Sequence, residues 1–493
     1  MSARRLLGIL PLQIAQALIG LCAIAAFTRL MSPEQFGQYA LALSASMLAH
    51  TLTFTWAESA AFRYYSAAKA EGRLGDHFAT LIVIALALGT SAFLGTALAL
   101  LSAGAGSDIA GIAAFAASAA VFRFLTRMAR ETDRAALHLE RYAAREALYL
   151  ILGFGAGVAC LTLFDFGAAA PFAGLALAGL VVFAFDAPAF VNQARHGDSD
   201  LDRAQAYLSY GAPLALALAI DLGVQTVSRF VLAAQTSSAE VGAFAAAFGL
   251  ARPIDLIFMA ASAALAPLVL SAYEERGVEA ARSVARTNVA LLAALTLPMG
   301  VGLALVAKPL SALLVGEGLS ASAAGALPWL ALTGVFAGFN LHYWSEAFQL
   351  TRRTGLRALI MLGPGAVQVA LTFVLAPTFG AAGAAMAAAA SALLAMVFLV
   401  VLGRRLFALP IAASALARIA LATMIMALAV WFTPNGLALR VVVGVFTYVA
   451  AALALDILGV RTAASAVSQT LVAKLRALVH FLFTDRSNAR RAP

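Results

Sequence analysis

Charged and amide side chains recur inside the long apolar runs of this 493-residue chain, at spacings that fit the faces of helices. Asp221, Gln225 and Arg229 follow one another at intervals of four, so a helix would place them on one face. Arg252 and Asp255 stand one helical turn apart in a later run. Charges at membrane depth are costly unless they face a cavity or a partner. Both groups therefore indicate a polar path that could bind an ionic substrate.

Other apolar runs carry polar residues as well. They are His50 and Glu58 in the second run, Asn340, His342, Glu346 and Gln349 in the tenth, Gln13 and Gln16 in the first, and Gln368 in the eleventh. Because these runs come from both parts of the chain, their side chains could line one central path. The predicted substrate-binding residues on this path are Arg252, Asp255, Asp221, Gln225, Arg229, Glu58, His50, Asn340 and Glu346.

Several of these residues also have a purely structural interpretation. Arg252 and Asp255 could form an ion pair that braces a proline kink. Arg229, near a helix end, could extend its charge toward the membrane surface. Two carboxylates near the cytoplasmic face could pair with neighbouring arginines, in the combinations Glu58 with Arg63 and Glu346 with Arg352.

The composition places the elements that carry these residues in a bilayer. Hydrophobic residues make up 63% of the chain and charged residues 12%, against about 45–50% and 25% in soluble domains. A soluble enzyme, a secreted disulfide scaffold and a disordered chain are excluded, because each needs a polar surface, many cysteines or few apolar residues. The two cysteines, Cys22 and Cys160, lie within apolar runs, where we expect packing roles.

A bilayer core about 30 Å thick requires about 20 apolar residues per helix. Fourteen runs meet this requirement and predict an all-α polytopic membrane protein. They cover approximately residues 6–30, 37–64, 78–102, 107–129, 145–165, 168–191, 207–232, 239–271, 286–308, 322–350, 357–376, 380–403, 411–431 and 435–458. Their many small residues allow helices to approach closely in lipid.

The basic residues predict the orientation. By our assignment of loops, 27 of the 33 Lys and Arg residues fall on one side, which the positive-inside rule makes cytoplasmic, with both termini there. A multi-pass protein of the bacterial inner membrane is therefore expected. The net charge of +9 suits anionic lipid head groups, and no nucleic-acid partner is predicted.

An internal repeat organises the runs. Ser32-Pro33-Glu34-Gln35-Phe36-Gly37 resembles Ser238-Ala239-Glu240-Val241-Gly242 if one extra residue is allowed in the first copy. The segment 163–170 likewise resembles 376–383. The offsets of about 205 and 213 residues predict two six-helix halves in the same orientation, an arrangement typical of transporters that bind substrate between halves.

The predicted organisation follows from this repeat. It has a first half at 1–191, a cytoplasmic linker at 192–206, a second half at 207–405, two added helices at 406–458, and a cytoplasmic tail at 459–493. In that tail, 463–483 has apolar residues on one helical face and predicts a helix that lies on the membrane surface.

Motifs for catalysis are absent from the sequence. It has no Walker A loop, no zinc-binding pair of histidines and no nucleophile elbow. Gly153, Gly155 and Gly157 lack the strand and the acidic residue of a dinucleotide site, so they are expected to be packing glycines. We predict no enzymatic activity, no cofactor and no metal site.

The sequence resembles bacterial polysaccharide flippases of the multidrug, oligosaccharidyl-lipid and polysaccharide exporter superfamily. The stretches that carry the resemblance are 29–39, 56–60, 63–65, 240–244, 266–267 and 376–385. Glu58 stands where that family often has glycine, and in this respect the stretch is closer to lipid II flippases.

The resemblance implies a transporter that moves an undecaprenyl-pyrophosphate-linked oligosaccharide from the inner to the outer leaflet by alternating access. Such a substrate would serve the synthesis of O-antigen, lipopolysaccharide or exopolysaccharide. Its partners would be the lipid-linked oligosaccharide, membrane lipids, and a glycan polymerase with other assembly proteins. A cationic cavity could hold the pyrophosphate charge.

Two other functions remain open at this point. A drug or cation antiporter of the same superfamily would have a cavity rich in carboxylates and aromatic rings. A membrane scaffold for glycan enzymes would transport nothing. Without an ATP site, transport needs an ion gradient or removal of the product, and Asp221 is the predicted coupling carboxylate unless an arginine such as Arg252 keeps it ionised.

Overall fold

The computed structural model describes residues 3–104, 106–434 and 436–459, with side chains from Ala15 onward. These residues are almost entirely helical and include no strand. The predicted all-α membrane fold is confirmed. The predicted surface helix at 463–483 lies outside the described residues.

The helices of the first part of the chain are α1 (Ala3–Leu30), α2 (Pro33–Thr53), α3 (Thr55–Ala70), α4 (Leu74–Ala103), α5 (Ser107–Ala135), α6 (Leu139–Phe164), α7 (Ala170–Ala194) and α8 (Leu201–Gln235). The following helices are α9 (Ser238–Ala251), α10 (Pro253–Arg276), α11 (Val278–Leu305), α12 (Ala307–Leu314), α13 (Glu317–Phe339), α14 (Glu346–Leu350), α15 (Thr354–Gly403), α16 (Ala413–Trp431) and α17 (Leu437–Ala454).

Eleven helical stretches of the described chain are long and apolar enough to cross a membrane. Three features separate this number from the fourteen predicted runs. The described apolar part of α1 is short, α2 and α3 are separated at Phe54, and α15 contains two helices because Gly380 is not helical (φ 55°, ψ −134°). The helices thus cover every predicted run, while the number of crossings and the repeat of whole halves stay predictions.

The chain divides into two compact units. Unit 1 contains the described residues up to Leu256 together with Ala307–Phe407, and unit 2 contains Ile257–Val306 and the described residues from Ala408. Inside unit 2, the Asn288 amide donates to the Leu265 carbonyl (3.1 Å) and the Tyr448 hydroxyl donates to the Ala294 carbonyl (2.7 Å). The predicted division into halves and a linker stays a prediction.

The predicted repeat requires a correction in its alignment. Ser32 caps α2 and accepts a hydrogen bond from the Gln35 amide (3.2 Å), while Ser237 caps α9 and accepts one from the Glu240 amide (3.3 Å). The structural counterpart of Ser32 is therefore Ser237, and Ser238 is one position too far. No extra residue is needed, because the cap position, rather than the similarity of letters, defines the start of each helix.

The linker between α7 and α8 is bound to the start of α4. Asp76 accepts a hydrogen bond from the Asp198 amide (3.1 Å), and Thr80 accepts one from the Asp200 amide (3.1 Å). Asp76 also accepts a hydrogen bond from Arg73 (2.7 Å), which raises the pKa of that guanidinium. The beginning of α8 is thereby fixed to α4.

Glycines allow α6 and α7 to pack closely. A Cβ on Gly174 of α7 would collide with the backbone of Gly153 and Gly157 on α6, whereas Gly155 has open space beside it. Gly153 and Gly157 are therefore packing glycines, and Gly155 makes no such contact.

Replacing Gly174 by valine should lower the free energy of unfolding by about 1–3 kcal/mol, because overpacking forces the two helices apart. Gly155→Val is the matched control and should change it by less than about 1 kcal/mol, the cost of ordinary helix propensity. Unfolding of the purified protein in detergent measures both. Equal losses in the two variants would contradict the assigned helix contact.

Candidate functional site

A cavity of about 120 Å³ lies within unit 1, among α2, α5, α6, α7 and α8. Its wall is largely apolar and includes Leu43, Met47, Ala119, Ala120, Phe172, Leu175 and Leu222. Pockets for whole small molecules are about 300–1,000 Å³. In this conformation the cavity can therefore take one small polar group and no sugar chain.

The polar part of the wall is cationic. Arg123 and Arg127 lie one turn apart on α5 and both line the cavity, as do His50 and Tyr149. The Tyr149 hydroxyl and His50 Nδ1 are buried without a hydrogen-bond partner among the described residues. Buried polar atoms without partners are uncommon, and here they lie beside a space that a ligand could fill.

Glu58 connects His50 and Arg127. Its Oε1 is 2.9 Å from His50 Nε2, its Oε2 is 3.3 Å from Arg127 Nη1, and its side chain is 3% exposed. The break between α2 and α3 at Phe54 allows these two residues, eight positions apart, to meet. The alternative pairing of Glu58 with Arg63 is wrong, because the carboxylate faces the interior of the bundle.

The charges around the cavity do not cancel. Glu58 pairs with Arg127. Arg123 makes none of the ion pairs within 4 Å found among the described residues; it lies over the Tyr149 ring, at 5.9 Å from its centre, and in electrostatic range of Glu58. Two arginines and one glutamate leave one excess positive charge at the site. An apolar wall strengthens the attraction of such a charge for an anion.

Buried and half-buried ion pairs lie next to this site, on the predicted cytoplasmic side. Arg130 pairs with Glu146, and Arg145 pairs with both Asp133 and Asp186, the latter at 2.7 Å. They join α5, α6 and α7. Asp186 was not among the predicted site residues, yet its carboxylate is 3% exposed and pairs with Arg145.

Arg123 and Arg127 were not among the predicted site residues, because they are two of the 27 basic residues assigned to the cytoplasmic side. They lie inside α5, which extends to Ala135. The spacing of Arg123, Arg127, Arg130 and Arg134 by four, three and four residues was the available signal, since it puts all four on one helical face.

The predicted site residues of α8, α9 and α10 do not line this cavity. Arg252 is exposed at the break between α9 and α10, and Asp255 is half-buried. No ion pair within 4 Å joins them in the described chain, although Arg252 lies in electrostatic range of Asp255. The brace therefore stays a prediction. Asp221 and Gln225 are both exposed on α8. The arginine in electrostatic range of Asp221 is Arg357, rather than Arg252.

Arg229 contacts its neighbours and does not extend outward alone. Its Nη1 donates to the Ser44 hydroxyl of α2 (2.5 Å). Its guanidinium also lies over the rings of Phe244 and Phe248, at 5.8 and 5.3 Å from their centres. Arg229 therefore joins α8 to α2 and α9.

The remaining predicted residues lie near a π-helical segment, Asn340–Trp344. Asn340 is buried and donates to the Ala392 carbonyl (2.8 Å). Glu346 is buried, one of its oxygens has no hydrogen-bond partner in the described chain, and the predicted pair with Arg352 is not found there. The structure thus brings together His50 and Glu58, and it leaves the other predicted residues in separate positions.

No group of three or more His, Cys, Asp or Glu side chains suited to a metal ion occurs in the residues that the structure describes. The groups that face the cavity are donors of hydrogen bonds and positive charge. They can bind an anionic oxygen-rich group.

The apolar helices define a polytopic membrane protein, and its cavity is cationic. The chain belongs to the polysaccharide biosynthesis protein family, whose model matches residues 26–323. No curated protein matches the sequence.

Solved transporters share the fold. The lipid II flippase MurJ in an inward closed conformation has a TM-score of 0.72 at 15% identity, over 91% of this chain and 99% of that chain. An inward-facing multidrug resistance MATE transporter of the MOP superfamily gives 0.58 at 20% identity, over 82% and 94%. A MOP transporter from Pyrococcus furiosus, described as having a binding pocket of reverse polarity, gives 0.53 at 18% identity, over 81% and 94%.

Proposed function

We propose that the protein flips an undecaprenyl-pyrophosphate-linked oligosaccharide from the cytoplasmic to the outer leaflet of the bacterial inner membrane, by alternating access. Both termini would lie in the cytoplasm, in keeping with the distribution of basic residues. The product would serve the synthesis of a surface or secreted polysaccharide, where a glycan polymerase could use it.

The observation that carries this proposal is the excess positive charge of the cavity. Arg123 and Arg127 present guanidinium groups, which match the geometry of phosphate oxygens. Together with His50 and Tyr149 they could bind one phosphoryl group, and the volume suits a group of that size. The sugars and the lipid would have to lie outside this space.

The other predicted residues extend the proposed path toward the second half. Arg252, Asp255, Asp221 and Gln225 are exposed or half-buried, so they are accessible to a substrate. We keep Arg252 as a second phosphate contact and Asp221 as the coupling carboxylate.

A cation antiporter is less well supported by the charges. A cationic drug would meet the unpaired Arg123 in this cavity, and like charges in an apolar site repel strongly. A scaffold without transport would not need a charged cavity between its helices.

Reconstitution tests the proposal directly. Purified protein in liposomes should move a fluorescent undecaprenyl-pyrophosphate oligosaccharide between leaflets at least about tenfold faster than protein-free liposomes, since the charged head group cannot cross hydrocarbon unaided. A cationic dye serves as the competing cargo. Transport of the dye alone would show that the antiporter interpretation is correct and the flippase wrong.

A further inference from the structure

The two helix starts capped by Ser32 and Ser237 lie against each other in unit 1. They are 205 residues apart, and so are Gly37 and Gly242, which follow them in α2 and α9. Each glycine is the fifth residue of its helix, near the end of the bundle that the basic residues predict to be outside. We call this pair of helix starts the paired turns.

The contact within the paired turns is reciprocal. An added Cβ on Gly37 would lie 3.0 Å from Ser238 Cα and even closer to the Ser238 carbonyl group. An added Cβ on Gly242 would lie 3.3 Å from the Pro33 carbonyl oxygen and 3.2 Å from the Gly37 amide nitrogen. Gly37 thus faces the carbonyl of Ser238, and Gly242 faces the carbonyl of Pro33. Pro33 and Ser238 are themselves 205 residues apart, so the two contacts are equivalent in the two copies of the repeat.

Neighbouring contacts hold the same end together. The Gly316 amide before α13 donates to the Thr28 hydroxyl of α1 (2.9 Å), and Arg29 donates to the Leu313 carbonyl of α12 (2.5 Å). These bonds join helices of the predicted first half to helices of the predicted second half.

Glu240 connects one of the paired turns, the start of α9, to α13 and α15. Its carboxylate accepts hydrogen bonds from the Ala381 amide (2.6 Å) and the Ser322 hydroxyl (2.9 Å). Gly380, with φ 55°, presents its Cα to this carboxylate, where a side chain would collide. The turn is therefore held rigidly to α13 and α15, so α9 would move with those helices.

We propose that the paired turns are the outer gate of the transporter, which closes by direct backbone contact at Gly37 and Gly242 and opens when α2 and α9 separate. The inference rests on the proposed flipping function, because a gate has a purpose only in a protein that alternates access. A side chain at Gly37 cannot fit into the closed state and meets no such obstacle once the helices have separated.

The two glycines should differ in effect. An added side chain at Gly37 would collide with backbone atoms of Ser238, which cannot rotate away as a side chain can. Such a side chain should therefore shift the population strongly toward the open gate. At Gly242 the neighbours lie 3.2–3.3 Å from the added atom and need to move by only a few tenths of an ångström.

A disulfide across the gate measures its closure. The Cβ of Pro33 lies 4.0 Å from the position of a Cβ on Gly318, within the range of about 3.5–4.5 Å that disulfides adopt. With Cys22 and Cys160 replaced by alanine, Pro33→Cys with Gly318→Cys should cross-link in most molecules on oxidation in membrane vesicles. Adding Gly37→Val should lower the initial rate of cross-linking at least fivefold, and adding Gly242→Ala about twofold.

Gly95→Val, on α4, is the matched control, because an added Cβ there meets open space. It should leave the cross-linking rate unchanged. Equal rates with and without Gly37→Val, in protein that runs as a single species on size exclusion, would overturn the gate. If Gly37→Val does not fold, Gly242→Ala tests the same contact. An unchanged cross-linking rate in Gly242→Ala would then overturn the proposal.

Cross-linking is independent of the cargo, so the two proposals can fail separately. If Gly37→Val lowers the cross-linking rate but the protein does not flip the oligosaccharide, the proposed gate is retained and the proposed substrate is rejected. If fully cross-linked protein flips the oligosaccharide at the full rate, the proposed gate is rejected and the proposed substrate is retained.

Discussion

Replacing Arg123 by alanine should lower the rate of oligosaccharide flipping by about ten- to 150-fold at subsaturating substrate. The expected loss corresponds to about 1.5–3 kcal/mol, the contribution of a hydrogen bond to a charged group. Arg123 makes no ion pair within 4 Å in the described chain, and the nearby Glu58 keeps His50 and Arg127 as partners when Arg123 is removed, so no buried charge is left unpaired. Initial flipping rates in liposomes measure the effect, and Arg123→Lys should recover only part of the rate because the planar fork is lost.

Arg134 provides the control on the same helix. It is exposed, pairs with Glu131 at 3.3 Å and lies over Phe62. Arg134→Ala should leave flipping within about twofold of the parent, as surface substitutions usually do. Equal losses from Arg123→Ala and Arg134→Ala would mean that general attraction of the anionic substrate, rather than the cavity, sets the rate.

Replacing Arg130 by methionine should lower the free energy of unfolding by about 3–5 kcal/mol, because the Glu146 carboxylate then stays buried without its partner. Arg130 is 4% exposed, and the other oxygen of Glu146 accepts a hydrogen bond from Gln16 (3.3 Å). Unfolding by a denaturing detergent, followed by loss of fluorescence or of monodispersity, measures this change.

The double variant Arg130→Met with Glu146→Leu should recover most of that stability, because two apolar side chains can replace a buried ion pair at little net cost. Arg134→Met, which breaks an exposed pair, should cost less than about 1 kcal/mol. A double variant that loses the sum of the two single losses would show that the two side chains act independently, contrary to the assigned ion pair.

The length of the apolar runs predicted the helices well. Each described run became helix, because a membrane leaves the backbone no other partner for its hydrogen bonds. The error arose where one run contains a break. Phe54 divides α2 from α3 within the predicted run 37–64. The interruption of α15 at Gly380, in contrast, agrees with the predicted boundary between the runs 357–376 and 380–403.

The candidate site was less predictable, because its residues meet across helices. His50 and Glu58 were predicted from their depth alone, and the structure brings them together. Glu58 pairs with Arg127 and not with Arg63, although Arg63 is much closer along the sequence. This pairing depends on α3 packing against α5. Sequence spacing holds information on the faces of single helices and none on which helices are neighbours.

The reciprocal contact of the paired turns bears on how the chain could have arisen. Two identical shorter chains could form the same contact in a closed symmetric dimer, in which every residue at the interface occurs twice. In such a dimer a substitution at the glycine would act on both sides at once. Fusion of the two copies into one chain removes that constraint. Gln35 and Glu240, or Pro33 and Ser238, can then differ while the glycines that follow them, Gly37 and Gly242, stay matched. An ancestral duplication would thus have made an asymmetric gate possible without a change in its central contact.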